Sequence, residues 1–204
     1  HHNEQSLRVV DKLERDGDGL NLTYEVRMAI LGHTGPRIPE TLEGQVVRTS
    51  DRIAYINHDI DDAIRAGILS ESDIPREIAD VLGASHSARI NTLVEDMISN
   101  TQNTGVLSMH QEVSDAMGAL RTFMFERVYT NPLAKGEEAK AKDIMRKLFD
   151  YYYSHPDKLP ADFIPQLDFD GISRTICDYI AGMTDKYAIY TYSEIFIPTA
   201  WQVR

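Results

Sequence analysis

Apolar residues recur at three- and four-residue steps along most of the chain, with no series of alternating apolar and polar positions, so the pattern predicts helices throughout. Residues 3–15 carry Leu7, Val10 and Leu13 between charged positions, and Asp16-Gly17-Asp18-Gly19 closes that helix as a turn. Thr23 caps a second helix with Val26, Ala29 and Ile30 that runs into His33-Thr34-Gly35-Pro36. After an extended connector over Arg37 to Thr41, the longest pattern, 41–67, sets Ile53, Ile56, Ile60 and Ile64 on one seam and ends at Gly67. Asp73 is read as the cap of the next helix, with Pro75 in its first turn and an end near Gly83. Ser85 or Ser87 opens another through Met97.

The polar stretch Ser99 to Gly105 is expected as a loop and 106–109 as a short extended piece. Helix then resumes through Tyr129, with Val113, Met117, Leu120 and Met124 on its apolar face. Asn131-Pro132 breaks the chain, and 136–154 form a charged helix whose apolar face is Ile144, Leu148, Tyr151 and Tyr152. Three prolines make 156–170 a loop, and a final helix runs from Ile172 to Phe196 before an irregular tail after Pro198. The fold class is therefore all-α, without an internal repeat.

Composition narrows the classes. With 204 residues, 42% apolar and 26% charged, the chain has enough apolar mass for one core or two small ones. Its 21 basic against 32 acidic side chains give a net charge of −11, and the basic residues are scattered, which disfavours nucleic acid as a partner. A small phosphorylated ligand is compatible with that charge, because one pocket can gather two or three Arg or Lys. The single cysteine, Cys177, excludes an intramolecular disulfide framework and reads as a packed thiol in a helix. No uncharged apolar run approaches the roughly 18–20 residues that cross a bilayer, and no basic leader with an apolar stretch opens the sequence, so the expectation is a cytoplasmic protein with no membrane partner. His1-His2 is also compatible with the stub of a purification tag.

Most familiar chemical motifs are missing. Asp16-Gly-Asp18-Gly opens like a calcium loop, but Leu20 and Asn21 stand where an oxygen ligand and a glycine are needed. There is no phosphate-binding Gly-rich loop, HExxH pair, CxxC pair or GxSxG elbow. The informative segment runs from Arg48 to Asp62: on a helix, Asp51, Tyr55, Asp59 and Asp62 share one side while the isoleucines face another. That side reads acid, aromatic, acid, acid. Carboxylates so close repel one another, which a cation or a hydroxyl-bearing ligand would relieve; a solvated face with Arg48, Arg52 and Arg65 as counter-charges explains the same spacing.

Four blocks carry a resemblance. His2-Asn-Glu-Gln-Ser6-Leu-Arg-Val-Val, Gly19-Leu-Asn-Leu-Thr23-Tyr-Glu-Val-Arg27, Ser50-Asp-Arg-Ile-Ala-Tyr-Ile-Asn-His-Asp-Ile-Asp-Asp62 and Asp178-Tyr-Ile-Ala-Gly-Met-Thr-Asp185 occur in an order that resembles the deoxynucleoside triphosphate triphosphohydrolases, the dGTPase-like members of the HD-domain superfamily. The resemblance implies a helical HD-type fold and hydrolysis of a dNTP to deoxynucleoside and inorganic tripolyphosphate. It implies residues 1–67 as the remainder of an HD core, 68–204 as a helical carboxy-terminal region, and a homo-oligomer. It also implies a divalent metal ion (manganese, magnesium, iron or zinc) held by a His, a His-Asp dyad and a distant Asp that Asp51 matches.

The remaining roles are carried over singly. Tyr55 resembles the aromatic residue against the deoxyribose, Asp59 the acceptor for its 3′-hydroxyl, and Arg52 a basic residue on the triphosphate. His2 resembles a histidine that gives a proton to the leaving oxygen or steadies its charge, and Arg174 is a further phosphate candidate. The family's first metal-binding His and its His-Asp dyad precede the His2 block and are not in this sequence, and His58-Asp59, on the substrate segment, is not that dyad. One ligand is too few for tight metal binding. The rival reading is a non-catalytic nucleotide-binding or oligomer-assembly module; a phosphohydrolase of nucleoside monophosphates or cyclic dinucleotides fits the Tyr55–Asp59 spacing less well.

Overall fold

The computed structural model describes residues 1–199, apart from the side chains of 133–135. It is all-α: ten α-helices, and no strand among the described residues. The chain forms two compact units, His1–Asn131 and the remainder from Pro132.

In the first unit, α1 (His2–Arg8) runs on into a wider helical turn, Val9–Leu13, and is followed by α2 (Tyr24–Gly32) and α3 (Leu42–Arg65). Thr41 caps α3 by accepting from the Gly44 amide at 3.2 Å, one of the orphan donors of a helix start. Gly44 also permits the approach of α2: a Cβ there would lie 2.6 Å from Cβ of Pro39 and 3.0 Å from Cβ of Ala29. The isoleucine seam does what its spacing predicts, with Ile53, Ile56 and Ile60 buried and Ile64 packed at the edge of the same core.

The next helix, α4 (Arg76–Leu82), starts after Pro75 rather than at Asp73. Asp73 instead accepts from the Ser70 amide at 2.7 Å and from its hydroxyl at 2.9 Å, closing a preceding tight turn. The expected loop at 99–105 is helix: α5 (His86–Thr104) ends only at left-handed Gly105, because Asn100, Thr101 and Thr104 form a polar helix end that needs no apolar contact. Residues 106–109 are irregular, bent at 106 and 107, and form no strand. The last helix of the unit, α6 (Gln111–Met124), continues in a wide turn, Phe125–Tyr129, and buries Val113, Leu120 and Met124 against α3 and α4.

The second unit opens on α7 (Pro132–Ser154), with Pro132 in the first turn, where a missing N–H costs nothing. The proline-rich stretch is not loop throughout; it holds tight turns and a five-residue helix, α8 (Gln166–Asp170). The expected single final helix is two, α9 (Ile172–Ala181) and α10 (Asp185–Phe196), because Gly182-Met183 interrupts the ladder and Thr184 caps a new start by accepting from the Tyr187 amide at 3.2 Å. Leu148, Tyr152, Leu159, Ile176 and Tyr179 form the core, and Cys177, expected to pack, is exposed. From residue 200 the tail lies outside the described residues. Among the described residues no helix is long and apolar enough to cross a membrane.

One ion pair ties α1's extension to α2. Arg27 donates from Nε and Nη2 to the two oxygens of Asp11 at 2.7 and 2.6 Å. These hydrogen bonds and the guanidinium charge hold the Asp11 carboxyl below its usual value and raise Arg27. A depressed carboxylate contributes stability above its unfolded value, about 3.9, and loses it as the pH falls through the lower folded value. Arg27→Met is therefore expected to lower the melting temperature at about pH 6, with the gap from wild type closing toward about pH 2. A gap of the same size at both pH values would assign it to packing instead.

Candidate functional site

The site is built where α3 passes between the end of α2 and α6. Arg48 organises its rim: its guanidinium donates to the carbonyls of Gly32 and Gly35 at 2.6 Å and of Arg37 at 3.0 Å, pinning the turn after α2 onto α3. Burial, then the charge of Arg52, favours the neutral form of Arg48, a cost those three carbonyls offset. From the other side Asn3 donates to the Leu31 carbonyl at 2.8 Å, which brings the first helix against the same turn.

Asp51 stands between two hollows. One, about 570 Å³, is bounded on α3 by Asp51, Arg52 and Tyr55 and on α6 by Ser114, Gly118 and Arg121. Positions 114, 118 and 121 are one stripe of α6, about a quarter turn from the buried Val113–Leu120 seam. Gly118 presents no Cβ to the space, and nothing lies within 4 Å of where one would be. The second, about 470 Å³, is mostly apolar, walled by Val26, Ala29, Ile30 and Val47, and reaches His33 and Asp51.

Asp51 is exposed and has no hydrogen-bond or ion-pair partner among the described residues. Arg52 and Arg121 set two guanidiniums against that one carboxylate, so the hollow is locally cationic on a chain of net charge −11. Tyr55 is half-buried, with its ring packed on the core at the edge of the cavity.

The stripe read from spacing divides. Asp51 and Tyr55 share the large hollow, while Asp59 and Asp62 border a separate one of about 220 Å³ with Tyr129. Tyr129, delivered by the wide turn after α6, donates its hydroxyl to Oδ2 of Asp59. Burial first, and that bond second, push the Tyr129 phenol far above its usual range, so it is a donor at neutral pH. Asp62 is exposed and pairs with Arg65. Arg174 belongs to the second unit, where its Nε lies 3.8 Å from Oδ1 of buried Asp178 one turn on. His2 opens α1 and faces His33, Nε2 to Nε2, at 3.1 Å.

The chain shares its length with known proteins. A model described as phosphohydrolase-associated domain matches residues 107–194. A deoxyguanosinetriphosphate triphosphohydrolase-like protein of Caldanaerobacter subterraneus subsp. tengcongensis is 50% identical over 98% of this chain and 59% of its own length. One of Clostridium perfringens is 46% identical over 97% of this chain and 60% of its own, and one of Geobacter sulfurreducens 30% identical over 97% and 64%. Over nearly its whole length the chain is similar to proteins named dGTP triphosphohydrolase-like. It spans about three fifths of the length of the first two of these relatives.

The fit of this site to a divalent ion can be tested on Asp51. It offers a hard anionic donor with nothing else holding it, which suits such an ion, but no three His, Cys, Asp or Glu side chains among the described residues come together as a ligand set. Asp51 is thus at most one ligand of several. Arg121, His33 and Tyr129 were not singled out by the sequence reading. The α6 stripe 114–118–121 could have exposed Arg121; the other two are defined only by contacts across the fold.

Proposed function

We propose that this chain supplies the sugar and triphosphate side of a dNTP triphosphohydrolase site, with dGTP among its substrates, converting dNTP and water into deoxynucleoside and inorganic tripolyphosphate. The observation that carries the reading is the large hollow with Asp51, Arg52, Tyr55 and Arg121 on its wall: one acid, two guanidiniums and an aromatic ring. Relatives named deoxyguanosinetriphosphate triphosphohydrolase-like support the substrate class.

The roles follow from chemistry. Arg52 and Arg121 offer charge-assisted hydrogen bonds to phosphate oxygens. Tyr55 provides a flat apolar face for the deoxyribose, where an added 2′-hydroxyl would lose its water. Asp59, on the smaller neighbouring hollow one helical turn beyond Tyr55, has one oxygen engaged by Tyr129 and offers the other as acceptor for the 3′-hydroxyl. Water attacks the α-phosphorus, the P–O5′ bond breaks, and His2 returns a proton to the departing 5′-oxygen. Asp51 would be the chain's ligand to a divalent ion, which, when bound, supplies positive charge at the α-phosphate. Arg174 is the weaker phosphate candidate, given its pairing with Asp178. The same reading assigns residues 1–67 to the HD core, a homo-oligomeric assembly and a cytoplasmic setting.

The test is made on the full-length natural polypeptide with manganese. Asp59→Ala is expected to raise KM for dNTP about tenfold, the worth of one hydrogen bond to a charged acceptor. Unchanged KM and kcat would remove the sugar assignment, and saturable dNTP binding without turnover would favour the non-catalytic module.

A further inference from the structure

His33 lies at the junction of the two hollows that share Asp51: its ring borders the apolar one, and the following Thr34 and Gly35 border the cationic one. Its proton arrangement can be deduced from what surrounds it. Nδ1 of His33 is 2.6 Å from the Ile30 carbonyl oxygen. A carbonyl only accepts, so Nδ1 carries the hydrogen, and the neutral ring then has a bare lone pair on Nε2. That lone pair faces Nε2 of His2 at 3.1 Å. Two bare nitrogens would repel, so His2 must bring the hydrogen: its Nε2–H donates to His33. The rings are tilted by 58° at 5.0 Å between centroids, which excludes stacking as the reason for their approach.

The consequence falls on His2. With Nε2–H committed to His33, the nitrogen left to take up or release a proton is Nδ1. Adding a proton at His2 Nδ1 keeps both hydrogen bonds intact, whereas adding it at His33 Nε2 would set two N–H groups head to head. We infer that His33 is a positioning residue: through the relay Ile30 carbonyl, His33, His2 it holds the His2 ring and makes Nδ1 of His2 the atom that gives up the proton. The catalytic half of this inference rests on the reading of His2 as proton donor proposed above; the pairing itself does not. The site has the logic of a general acid oriented by a second imidazole, which replaces the carboxylate more often found in that place.

Two measurements test it. In ¹⁵N-histidine spectra of this chain at about pH 8.5, where free imidazoles are neutral, His33 is expected as the Nδ1–H tautomer and His2 as Nε2–H, with a through-hydrogen-bond coupling between the two ε2 nitrogens that disappears in His33→Ala. His33 found as Nε2–H without that coupling overturns the pairing. In the full-length polypeptide, His33→Ala is expected to lower kcat about tenfold with KM for dNTP within about twofold, and His33→Gln, whose amide oxygen can accept from His2, to recover most of the loss. An unchanged kcat, or equal losses in Ala and Gln, overturns the positioning role. If the wild type releases no tripolyphosphate at all, the reading of His2 as an acid fails, while the coupling still decides the pairing.

Discussion

Replacing Asp51 by Ala in the full-length polypeptide is expected to lower dNTP turnover by about 10³-fold, the kinetic equivalent of several kcal/mol of charge stabilisation at the reacting phosphate. The melting temperature should stay within about 2 °C, because exposed side chains away from special features change stability by less than about 0.5 kcal/mol. The contrast is the point. Asp51 sits on α3 one residue from Arg52 and one turn from Tyr55, is exposed, and has no partner among the described residues. A carboxylate left without a partner beside two hollows contributes little to folding, so a large kinetic loss without a stability loss would tie it to chemistry. Asp51→Asn, which keeps shape and removes charge, should lose nearly as much and should also weaken manganese binding measured by paramagnetic resonance. A drop of less than about fivefold in both variants would return Asp51 to the status of a solvated surface acid.

The second large effect is on stability. Asn57→Ala is expected to destabilise the first unit by about 1.5–3 kcal/mol, the cost of taking a neutral acceptor from a buried charged donor, a substantial share of the roughly 5–15 kcal/mol that holds a domain together. Asn57 and Arg89 are both fully buried, and the Arg89 Nε donates to Oδ1 of Asn57 at 3.0 Å while Asn57 Nδ2 donates to the Ile53 carbonyl at 2.8 Å. The two terminal guanidinium nitrogens of Arg89 have no hydrogen-bond partner among the described residues. Burial favours the neutral form of Arg89, only partly opposed by the carboxylates of Glu71 and Asp61. Removing Asn57 therefore strips the guanidinium of its hydrogen bond through Nε. The pair Asn57→Ala with Arg89→Met should recover most of the loss, since an apolar side chain of similar length needs no partner there. Urea unfolding followed by circular dichroism checks both. A cost below about 1 kcal/mol for Asn57→Ala would mean that Arg89 turns to Asp61 or Glu71.

These residues show what could be read from the chain and what could not. The core of α3 was legible because Ile53, Ile56 and Ile60 keep a helical period and nothing competes with their burial. Asp51, Arg52 and Tyr55 were legible as one side of that helix for the same reason. Asn57 and Arg89 were not: a buried polar pair leaves no period, and its members lie on different helices. Tyr129 escaped notice because a wide turn after α6, invisible in composition, swings it onto Asp59. The break between α9 and α10 had a visible signal, Gly182 followed by Thr184 as a cap, which the apolar period on either side obscured. Cys177 was misread since a cysteine in an amphipathic helix reaches either face, and here it takes the wet one.

The central claim, that water attacks the α-phosphorus of a dNTP held across the hollow bounded by α3 and α6, is tested most directly by turnover of dGTP in ¹⁸O-water with the full-length polypeptide and manganese. Phosphorus NMR should find the label in tripolyphosphate, on its formerly α phosphorus, with unlabelled deoxyguanosine as the other product, and Arg121→Ala should slow the label's appearance about tenfold. Label in pyrophosphate or in single phosphate, or no incorporation while dGTP binds, would contradict the account.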